Sequence, residues 1–338
     1  MDLQQVLREL CLAPGVGGQT AAADVAARWL GAYTNEIERS PLGNVLGRIR
    51  CGKPDAPTVM LEAHIDQIGF VVTAVEDGFL RVAPCGGIDA RVLAATEVVV
   101  YGDKPYPGVF ASPPPHLAGD QKGATPVDKC LIDIGMTQEQ VLAAVPVGSR
   151  VSFRPRFSPI GETGVTGTSL DDRSGVAAVL WAVDALAGEP LPVDVAVCFA
   201  VQEELGTRGA ASGAFMLQPD AALAVDVSFA LTPDANPREC GKLGEGPMIG
   251  IAPGLDAAYS RRLAALAEAQ QIPFQREVMG ARTGTDADEI STTAHGVRTV
   301  LVSIPQRYMH TPVELVDMRD VENTGRLMAA FVREGVTA

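Results

Sequence analysis

Two adjacent carboxylates, Glu203 and Glu204, stand in the run VQEELGTRGA directly behind the apolar stretch VDVAVCFA. Neighbouring carboxylates repel each other, and burial strengthens the repulsion because it removes the solvent that screens them. A pair at the end of a strand-like run usually has a cation beside it that neutralises the charge. The pattern therefore predicts a cation site, and successive side chains at a strand end point in different directions.

Other metal-competent side chains follow other apolar runs of the chain. In an open α/β sheet, ligands bind beyond the carboxyl ends of the strands, so we expect these side chains to converge. Histidine and carboxylate without thiolate suit zinc, cobalt or manganese, and a bridging carboxylate suits two metals about 3.5–4 Å apart. The residues are His64 and Asp66 after PTVMLEA, Asp171 and Asp172 after VTGTSL, Asp226 after AALAV, and His310 after VRTVLVSIPQRYM.

Each cluster also has an ordinary interpretation when it is taken alone. A histidine can be packed or exposed, carboxylates before a helix can cap it, and a carboxylate pair after a strand can be a solvated turn. The absence of a metal site requires all of these interpretations to hold together. His116 and His295 are interpreted as structural or surface residues. The chain lacks H-E-x-x-H and G-x-S-x-G, which argues against a single-zinc helix protease and a serine hydrolase.

The composition is that of a folded globular protein with an acidic surface. Of the 338 residues, 47% are hydrophobic and 20% are charged. The net charge of −14 disfavours nucleic acid and anionic membranes as partners, because phosphates attract basic surfaces. We expect no secretory signal and no membrane-spanning run. The six cysteines are scattered without a C-x-x-C pair, which predicts free thiols in a reducing cytoplasm and argues against zinc-finger and iron–sulfur sites.

The pattern of elements predicts an α/β fold, a mostly parallel sheet flanked by helices, with a small β-rich domain inserted. Helices are predicted over 2–12, 20–33, 137–145, 171–186, 255–271 and 320–335, and buried strands over 57–65, 193–200, 221–227 and 297–304. Between these parts the texture changes to short β-type runs broken by Gly, Pro and Asp. We therefore expect a catalytic α/β domain in two parts, 1–69 and 164–338, with the inserted domain over 70–163.

Six strings together resemble the tetrahedral aminopeptidases, the dinuclear-metal glutamyl, leucyl and deblocking aminopeptidases, some of which are labelled endoglucanases. The strings are LEAHIDQIGF, TSLDDRSG, VQEELGTRGA, AVDVS, TGTDADEI and RYMHTPVELVD. They occur in order, and the resemblance runs from the first helix to the last. It implies a zinc-exopeptidase-like catalytic domain and an inserted dimerisation or assembly domain.

The resemblance also implies two divalent metal ions per subunit, zinc or cobalt, with manganese as a further candidate. Asp171 matches the carboxylate that bridges both metals. His64 and Asp226 match the other ligands of the first metal, and Glu204 and His310 match those of the second.

The catalytic roles come from the same resemblance. Glu203 matches the general base, and Asp66 matches the aspartate that orients His64 through a hydrogen bond. At the next position the family usually has glutamate, whereas this chain has Gln67. A segment that the family places near the substrate pocket corresponds to Gly284, Thr285 and Asp286.

The function that these residues indicate is removal of N-terminal residues from short peptides by a metal-activated water. Two alternatives stay open: hydrolysis of N-acyl amino acids or other amides at the same site, and a non-catalytic binding or assembly protein with a relic site. A glycosidase is the weakest interpretation, because its carboxylate pair works without metal ligands around it. The resemblance further implies a large homo-oligomer, a dodecamer built from dimers. The preferred N-terminal residue is not predicted.

Overall fold

The computed structural model describes residues 1–114, 116 and 123–336. The α-helices in this part of the chain are α1 (Leu3–Leu12), α2 (Ala21–Leu30), α3 (Gln138–Ala144), α4 (Leu170–Leu186), α5 (Arg208–Leu217), α6 (Ala257–Ala269), α7 (Asp286–Ser291) and α8 (Met318–Glu334). The strands are β1 (Glu36–Arg39), β2 (Val45–Ile49), β3 (Thr58–His64), β4 (Gly69–Glu76), β5 (Phe79–Cys85), β6 (Glu97–Tyr101), β7 (Pro105–Phe110), β8 (Leu131–Asp133), β9 (Arg150–Phe153), β10 (Phe157–Ile160), β11 (Gly164–Gly167), β12 (Asp194–Ala200), β13 (Ala221–Phe229), β14 (Met248–Ile251), β15 (Gln275–Val278), β16 (Arg298–Arg307) and β17 (Glu314–Asp317).

The large sheet has a parallel centre and antiparallel margins. Its strand order is β1-β2-β12-β3-β13-β16-β17-β11-β10, with β14 and β15 attached beside β16. The four central strands β12, β3, β13 and β16 are parallel to one another. Their residues are almost all buried, as expected for strands with helices on both faces. Because these strands are parallel, their carboxyl ends meet at one edge of the sheet.

Helices cover both faces of this sheet. One face packs against α1, α2, α4, α6 and α8, in a core that includes Val59 and Leu61 of β3. The opposite face packs against α5 and α7, in a smaller core that includes Met60 of the same strand. The alternation along β3 follows the two-residue period of a strand. No helix in the described part of the chain combines the length and the apolarity needed to cross a membrane.

A closed antiparallel barrel is inserted in the chain after β3. Its strands run in the order β4-β5-β8-β7-β6-β9. Phe70 lies at the centre of its core, in edge-to-face contact with Phe110 at 5.0 Å and with Phe153 at 5.6 Å between ring centroids. Closure leaves no free sheet edge in the barrel. After β9, the last strand of the barrel, the chain returns to the large sheet with β10.

The predicted fold class is confirmed: a largely parallel sheet with flanking helices, and a small β-barrel. The predicted helix over 137–145 is α3, and Thr137 and Gln140 form the capping box. The antiparallel marginal strands and the helices α5 and α7 were not predicted from sequence. These strands have four or five residues, and α5 is rich in Gly and Ala, so neither carries a clear hydrophobic period. The domain boundaries at 69/70 and 163/164 stay a prediction.

Candidate metal centre

The metal-competent residues predicted from sequence meet at the carboxyl ends of the central strands. His64 is the last residue of β3, and it stands beside Ala200, the last residue of the parallel strand β12. Asp226 lies within β13, which continues to Phe229 rather than ending at the aspartate. His310 follows the end of β16. The parallel order of these strands therefore brings together residues that are far apart in the sequence.

Glu203 and Glu204 lie in a turn rather than on a strand end. The strand β12 ends at Ala200, and Gln202 has a left-handed backbone with φ of 62°. The backbone N–H of Gly206 donates to the carbonyl of Glu203 at 2.8 Å and closes the turn. The expectation that strand alternation separates the two side chains was therefore wrong, because the chain leaves the sheet before it reaches them. The turn sends the two carboxylates to different partners.

The first triad consists of His64, Asp171 and Asp226, and all three side chains are buried. The Nε2 atom of His64 lies 3.0 Å from Oδ1 of Asp171 and 3.8 Å from Oδ1 of Asp226. One nitrogen and two carboxylate oxygens therefore face a common point. A set of one histidine and two carboxylates is a common ligand chemistry for zinc and its neighbours.

The second triad consists of Asp171, Glu204 and His310. The Nε2 atom of His310 lies 3.4 Å from Oδ2 of Asp171 and 3.3 Å from Oε1 of Glu204. Asp171 thus offers one carboxylate oxygen to each triad. In each triad the three ligand atoms lie within 4.8 Å of one another. A carboxylate with one oxygen in each of two such groups has the geometry of a bridge between two cations.

The position of Asp171 depends on a buried glutamate that sequence reasoning missed. Oε2 of Glu314 accepts hydrogen bonds from the backbone N–H groups of Leu170 at 2.7 Å and Asp171 at 3.2 Å. Its Oε1 accepts from the backbone N–H of His310 at 3.2 Å. One carboxylate therefore joins the segments that carry two of the three members of the second triad, Asp171 and His310. The string HTPVEL contains Glu314, but only its burial at 1% exposure distinguishes it from a surface glutamate.

Asp171 and Asp172 divide two tasks between them. Both have non-helical backbone angles at the start of α4, and the peptide bond between them is cis. Oδ1 of Asp172 accepts a hydrogen bond from the backbone N–H of Gly175 at 3.0 Å, so Asp172 caps the helix. The helix-capping interpretation thus describes Asp172, while Asp171 points at the two histidines.

Asp66 and Glu203 are in contact with the first triad but belong to neither group. Oδ1 of Asp66 lies 3.7 Å from Nδ1 of His64 and accepts a hydrogen bond from the backbone N–H of Glu203 at 3.1 Å. Oε2 of Glu203 lies 4.0 Å from Nε2 of His64. Asp66 thus faces the ring nitrogen of His64 that points away from the triad. The Glu203 carboxylate lies just outside the triad, beside the other ring nitrogen.

Burial and mutual proximity shift the pKa values of the ionisable groups in the cluster, in the direction expected for a cation site without its cation. Burial raises the pKa of Asp226 well above its ordinary value and raises the pKa of Glu203 to about 7. Burial also raises the pKa of Asp171, but hydrogen bonds from His310 and His64 outweigh it and lower this pKa overall. The hydrogen bonds to Asp171 and Glu204 raise the pKa of His310 to about 11. The raised pKa values of His64 and His310 favour protonated rings in the metal-free cluster, and a bound cation would compete with those protons.

Gln67 has a buried partner. Its Oε1 accepts a hydrogen bond from Nη2 of Arg173 at 2.6 Å, and Arg173 has no exposed surface. The same guanidinium donates through Nη1 to the backbone carbonyls of Leu10 and Ala13 at the end of α1. These carbonyls carry the negative end of the helix dipole, so they stabilise the buried charge of Arg173. Arg173 also ties the segment after Asp66 to the segment after Asp171.

The segment Gly284, Thr285 and Asp286 belongs to neither triad. The side chain of Thr285 caps α7 by accepting a hydrogen bond from the backbone N–H of Ala287. Asp286 is buried beside Glu62, and burial raises the pKa of both carboxyls well above the ordinary value. Gly284 is exposed. His295 is exposed as expected, and His116 is also exposed, with residues 115 and 117–122 outside the described part of the chain.

The residues of both triads fit divalent metal ions. Their donors are imidazole nitrogens and carboxylate oxygens without thiolate, which is the set expected for zinc, cobalt or manganese. In the described part of the chain, the cationic groups within ion-pair distance of Asp171, Glu204 and Asp226 are the two histidines alone. Nδ1 of His64 and Oδ2 of Asp66 are buried without a hydrogen-bond partner. Buried anions with so little compensation are stabilised by a cation.

Comparison with known proteins agrees with this chemistry. The family model described as M42 glutamyl aminopeptidase matches residues 43–327. The chain is 34% identical to the lysyl aminopeptidase of Pyrococcus furiosus, over 98% of this chain and 96% of that protein.

Solved structures of aminopeptidases share the fold over nearly the whole chain. The aminopeptidase APDkam598 from Desulfurococcus kamchatkensis has a TM-score of 0.92 at 32% identity, covering 98% of this chain and 95% of that one. The TET1 peptidase of Pyrococcus horikoshii has a TM-score of 0.86 at 28% identity, covering 98% of this chain and all of that one. That peptidase can assemble into a tetrahedron or a large octahedral shell.

Zinc added to chelator-treated protein is expected to raise the free energy of unfolding, because metal ions neutralise the buried carboxylates of the native state alone. At a hundred times the dissociation constant the gain is about 2.7 kcal/mol. Thermal unfolding with and without zinc measures it. Asp171→Asn removes charge from both triads and should lose most of the response, whereas Glu76→Gln on the exposed barrel surface should keep it. An equal response in both variants would contradict binding at the triads.

Proposed function

The chain belongs to the M42 glutamyl aminopeptidase family, and on that premise we propose that it releases N-terminal residues from short peptides with two bound metal ions and a glutamate base. Family membership makes it a metallo-aminopeptidase, a hydrolase of peptide bonds. The number of metals, their identity and the residue roles are the proposed part. The single observation that carries the proposal is Asp171, which directs one carboxylate oxygen at each of two histidines.

The proposed ligands of the first metal are His64, Asp171 and Asp226, and those of the second are Asp171, Glu204 and His310. Zinc and cobalt are the metals that we favour, with manganese as a further candidate. When bound, such metals lower the pKa of a coordinated water and polarise the substrate carbonyl. Asp66 is proposed to hold the His64 ring in place, which its position 3.7 Å from the outer ring nitrogen supports.

Glu203 is the proposed general base. It takes a proton from the attacking water and later gives it to the leaving amine. Burial raises the pKa of Glu203 in the metal-free site, and a raised pKa favours a group that must both accept and donate a proton near neutral pH. Its carboxylate belongs to neither triad, which leaves it available for this task. Its backbone N–H donates to Asp66, so base and orienting aspartate are held together.

The segment Gly284, Thr285 and Asp286 is proposed to border the substrate pocket. The exposure of Gly284 supports a contact with substrate, whereas the burial of Asp286 beside Glu62 supports a role in holding the loop. The side-chain cap of Thr285 on α7 fixes the same loop from the other side.

Two alternatives keep the same site. The first is hydrolysis of N-acyl amino acids or other amides, which requires the same attacking water but no free amine. The second is a binding or assembly protein with an inactive site. The complete set of ligand side chains, with Asp66 and Glu203 beside them, favours a working hydrolase over the second alternative.

The assembly and the compartment are also part of the proposal. The ability of the similar TET1 peptidase to form a tetrahedron supports a homo-oligomer, and we propose a dodecamer built from dimers in which the domain over 70–163 makes contacts. All six cysteines are free thiols, which supports a reducing cytoplasm.

Glu203→Gln should keep both metals and lower kcat by about 10²- to 10⁴-fold, because the amide preserves shape but cannot accept the water's proton. Metal content by elemental analysis and turnover of an aminoacyl anilide measure the two effects. Glu204→Gln is the comparison variant, since it should lose metal as well as activity. Near wild-type turnover in Glu203→Gln would rule out the assigned base.

Glutamyl, leucyl and lysyl anilides should be cleaved only when their α-amino group is free, because an exopeptidase site must recognise that amine. The measurement compares each substrate with its N-acetylated form under zinc, cobalt and manganese in turn. Release of acetate from the acetylated series, or faster release of its aniline, would favour the alternative of N-acyl or other amide hydrolysis. No cleavage of either series with any metal would favour the inactive-site alternative.

Light scattering of metal-replete protein should give a mass about twelve times that of the 35.4 kDa chain. Closed assemblies of this kind bury the same surfaces in every subunit. A monomeric mass under these conditions would refute the proposed assembly without affecting the assigned site.

A further inference from the structure

The first hairpin of the barrel returns the chain to the metal centre. Strand β4 begins two residues after Gln67, and β5 pairs with it antiparallel, so that Cys85 stands opposite Gly69. The residues after Cys85 therefore come back beside Ile68, close to the segment that carries His64 and Asp66. This return places the turn Gly86–Gly87, which belongs to the barrel, against side chains of the second triad.

Gly86 packs on the Glu204 carboxylate. Its backbone φ of 83° lies in the left-handed region that favours glycine. A Cβ at this position would lie 2.7 Å from Cγ2 of Ile68 and 2.9 Å from Oε2 of Glu204. Those separations are too short for carbon, so the turn approaches the carboxylate as closely as a backbone without a side chain allows.

Gly87 packs on the His310 ring from the side opposite to the triad. A Cβ there would lie 2.8 Å from Nδ1 and 3.2 Å from Cε1 of His310, and it would meet no other atom within 4 Å. The other ring nitrogen, Nε2, faces Asp171 and Glu204. The ring is thus held between the triad and the barrel turn. Gly87 does not have a positive φ, so an alanine there changes the space without straining the backbone.

We propose that the Gly86–Gly87 turn is a positioning element for the second triad, so that the barrel sets the affinity of the second metal without supplying a ligand. The inference depends on the proposed dinuclear site. It assigns the barrel a task beyond assembly: the turn limits how far the Glu204 carboxylate and the His310 ring can move away from Asp171. None of the nearest atoms to a Cβ at either glycine belongs to His64, Asp171 or Asp226, so we expect the effect to be selective for the second triad.

The contact with His310 is the part that can be tested most cleanly. His310 is one-third exposed, whereas the His64 side chain is almost fully buried. A buried ring is held by its surroundings on all sides, but an exposed ring depends on the few groups that touch it. A Cβ at position 87 would meet His310 at Nδ1 and Cε1, away from the Nε2 atom that faces Asp171, so the backbone there limits how far the ring can move back from Asp171.

The experiment is titration of zinc into the metal-free full chain, for wild type and Gly87→Ala, by calorimetry. Wild type should bind two ions. In Gly87→Ala the ion at the first triad should bind as in wild type. The ion at the second triad should bind about 10- to 100-fold more weakly, as for other groups that orient a metal ligand. Cobalt absorption spectra give an independent readout, because only the second equivalent should change its spectrum.

Gly108→Ala is the matched control within the barrel. Its Cβ would crowd Ile132 and Ile134 at 3.0–3.1 Å, inside the barrel and away from the triads, and Gly108 also lacks a positive φ. It should lower the melting temperature and leave both zinc affinities unchanged. This separates a general disturbance of the barrel from displacement of the His310 ring.

Unchanged affinities in Gly87→Ala would overturn the inference while leaving the dinuclear site intact. Equal weakening of both ions, or the same loss of the second ion in Gly108→Ala, would overturn it as well. Wild type that binds no zinc would remove the proposed metal site and the inference together. None of these measurements depends on enzymatic turnover. A result that contradicts the positioning role of the turn can therefore be distinguished from one that contradicts the proposed activity.

Discussion

Burial of several carboxylates at one edge of the sheet is the constraint on which the rest of this structure depends. Asp171 and Asp226 are buried with Glu204 close by, and in the described part of the chain only histidines face them at ion-pair distance. Such a cluster is stable only with positive charge at its centre, supplied by protons on the histidines or by bound cations. Every loop that supplies a ligand must therefore be held against electrostatic repulsion.

The fold provides that restraint through buried polar groups that carry no reactive role of their own. Glu314 ties the backbone of Asp171 to that of His310, and Arg173 ties Gln67 to the end of α1. These groups are buried, where hydrogen bonds are electrostatically stronger than in water. The neutral Gln67 accepts a hydrogen bond from this guanidinium alongside the helix-end carbonyls. The ligand loops are thus anchored to one another and to the sheet.

Site residues could be predicted from the sequence where a short window of residues identifies them, and not where their role depends on contacts between distant residues. His64 ends a buried strand in a single continuous run, so both the strand and the ligand position were predictable from a short window. The roles of Glu314 and Arg173 arise from contacts across more than 100 residues, which no local pattern encodes. The turn at Glu203 was misjudged because an apolar run indicates a strand but does not mark the residue at which the chain leaves the sheet.

The position of the barrel in the chain couples its movements to the metal centre. Its first connection follows Asp66 directly, and its second leads into β10, from which the chain runs through β11 to the segment of Asp171. A barrel is closed and rigid, since each strand is hydrogen-bonded on both sides. Any shift of the barrel as a body must therefore move these connections or the turn Gly86–Gly87 relative to the sheet. An assembly contact on the barrel would accordingly act on the metal centre through these connections and the turn.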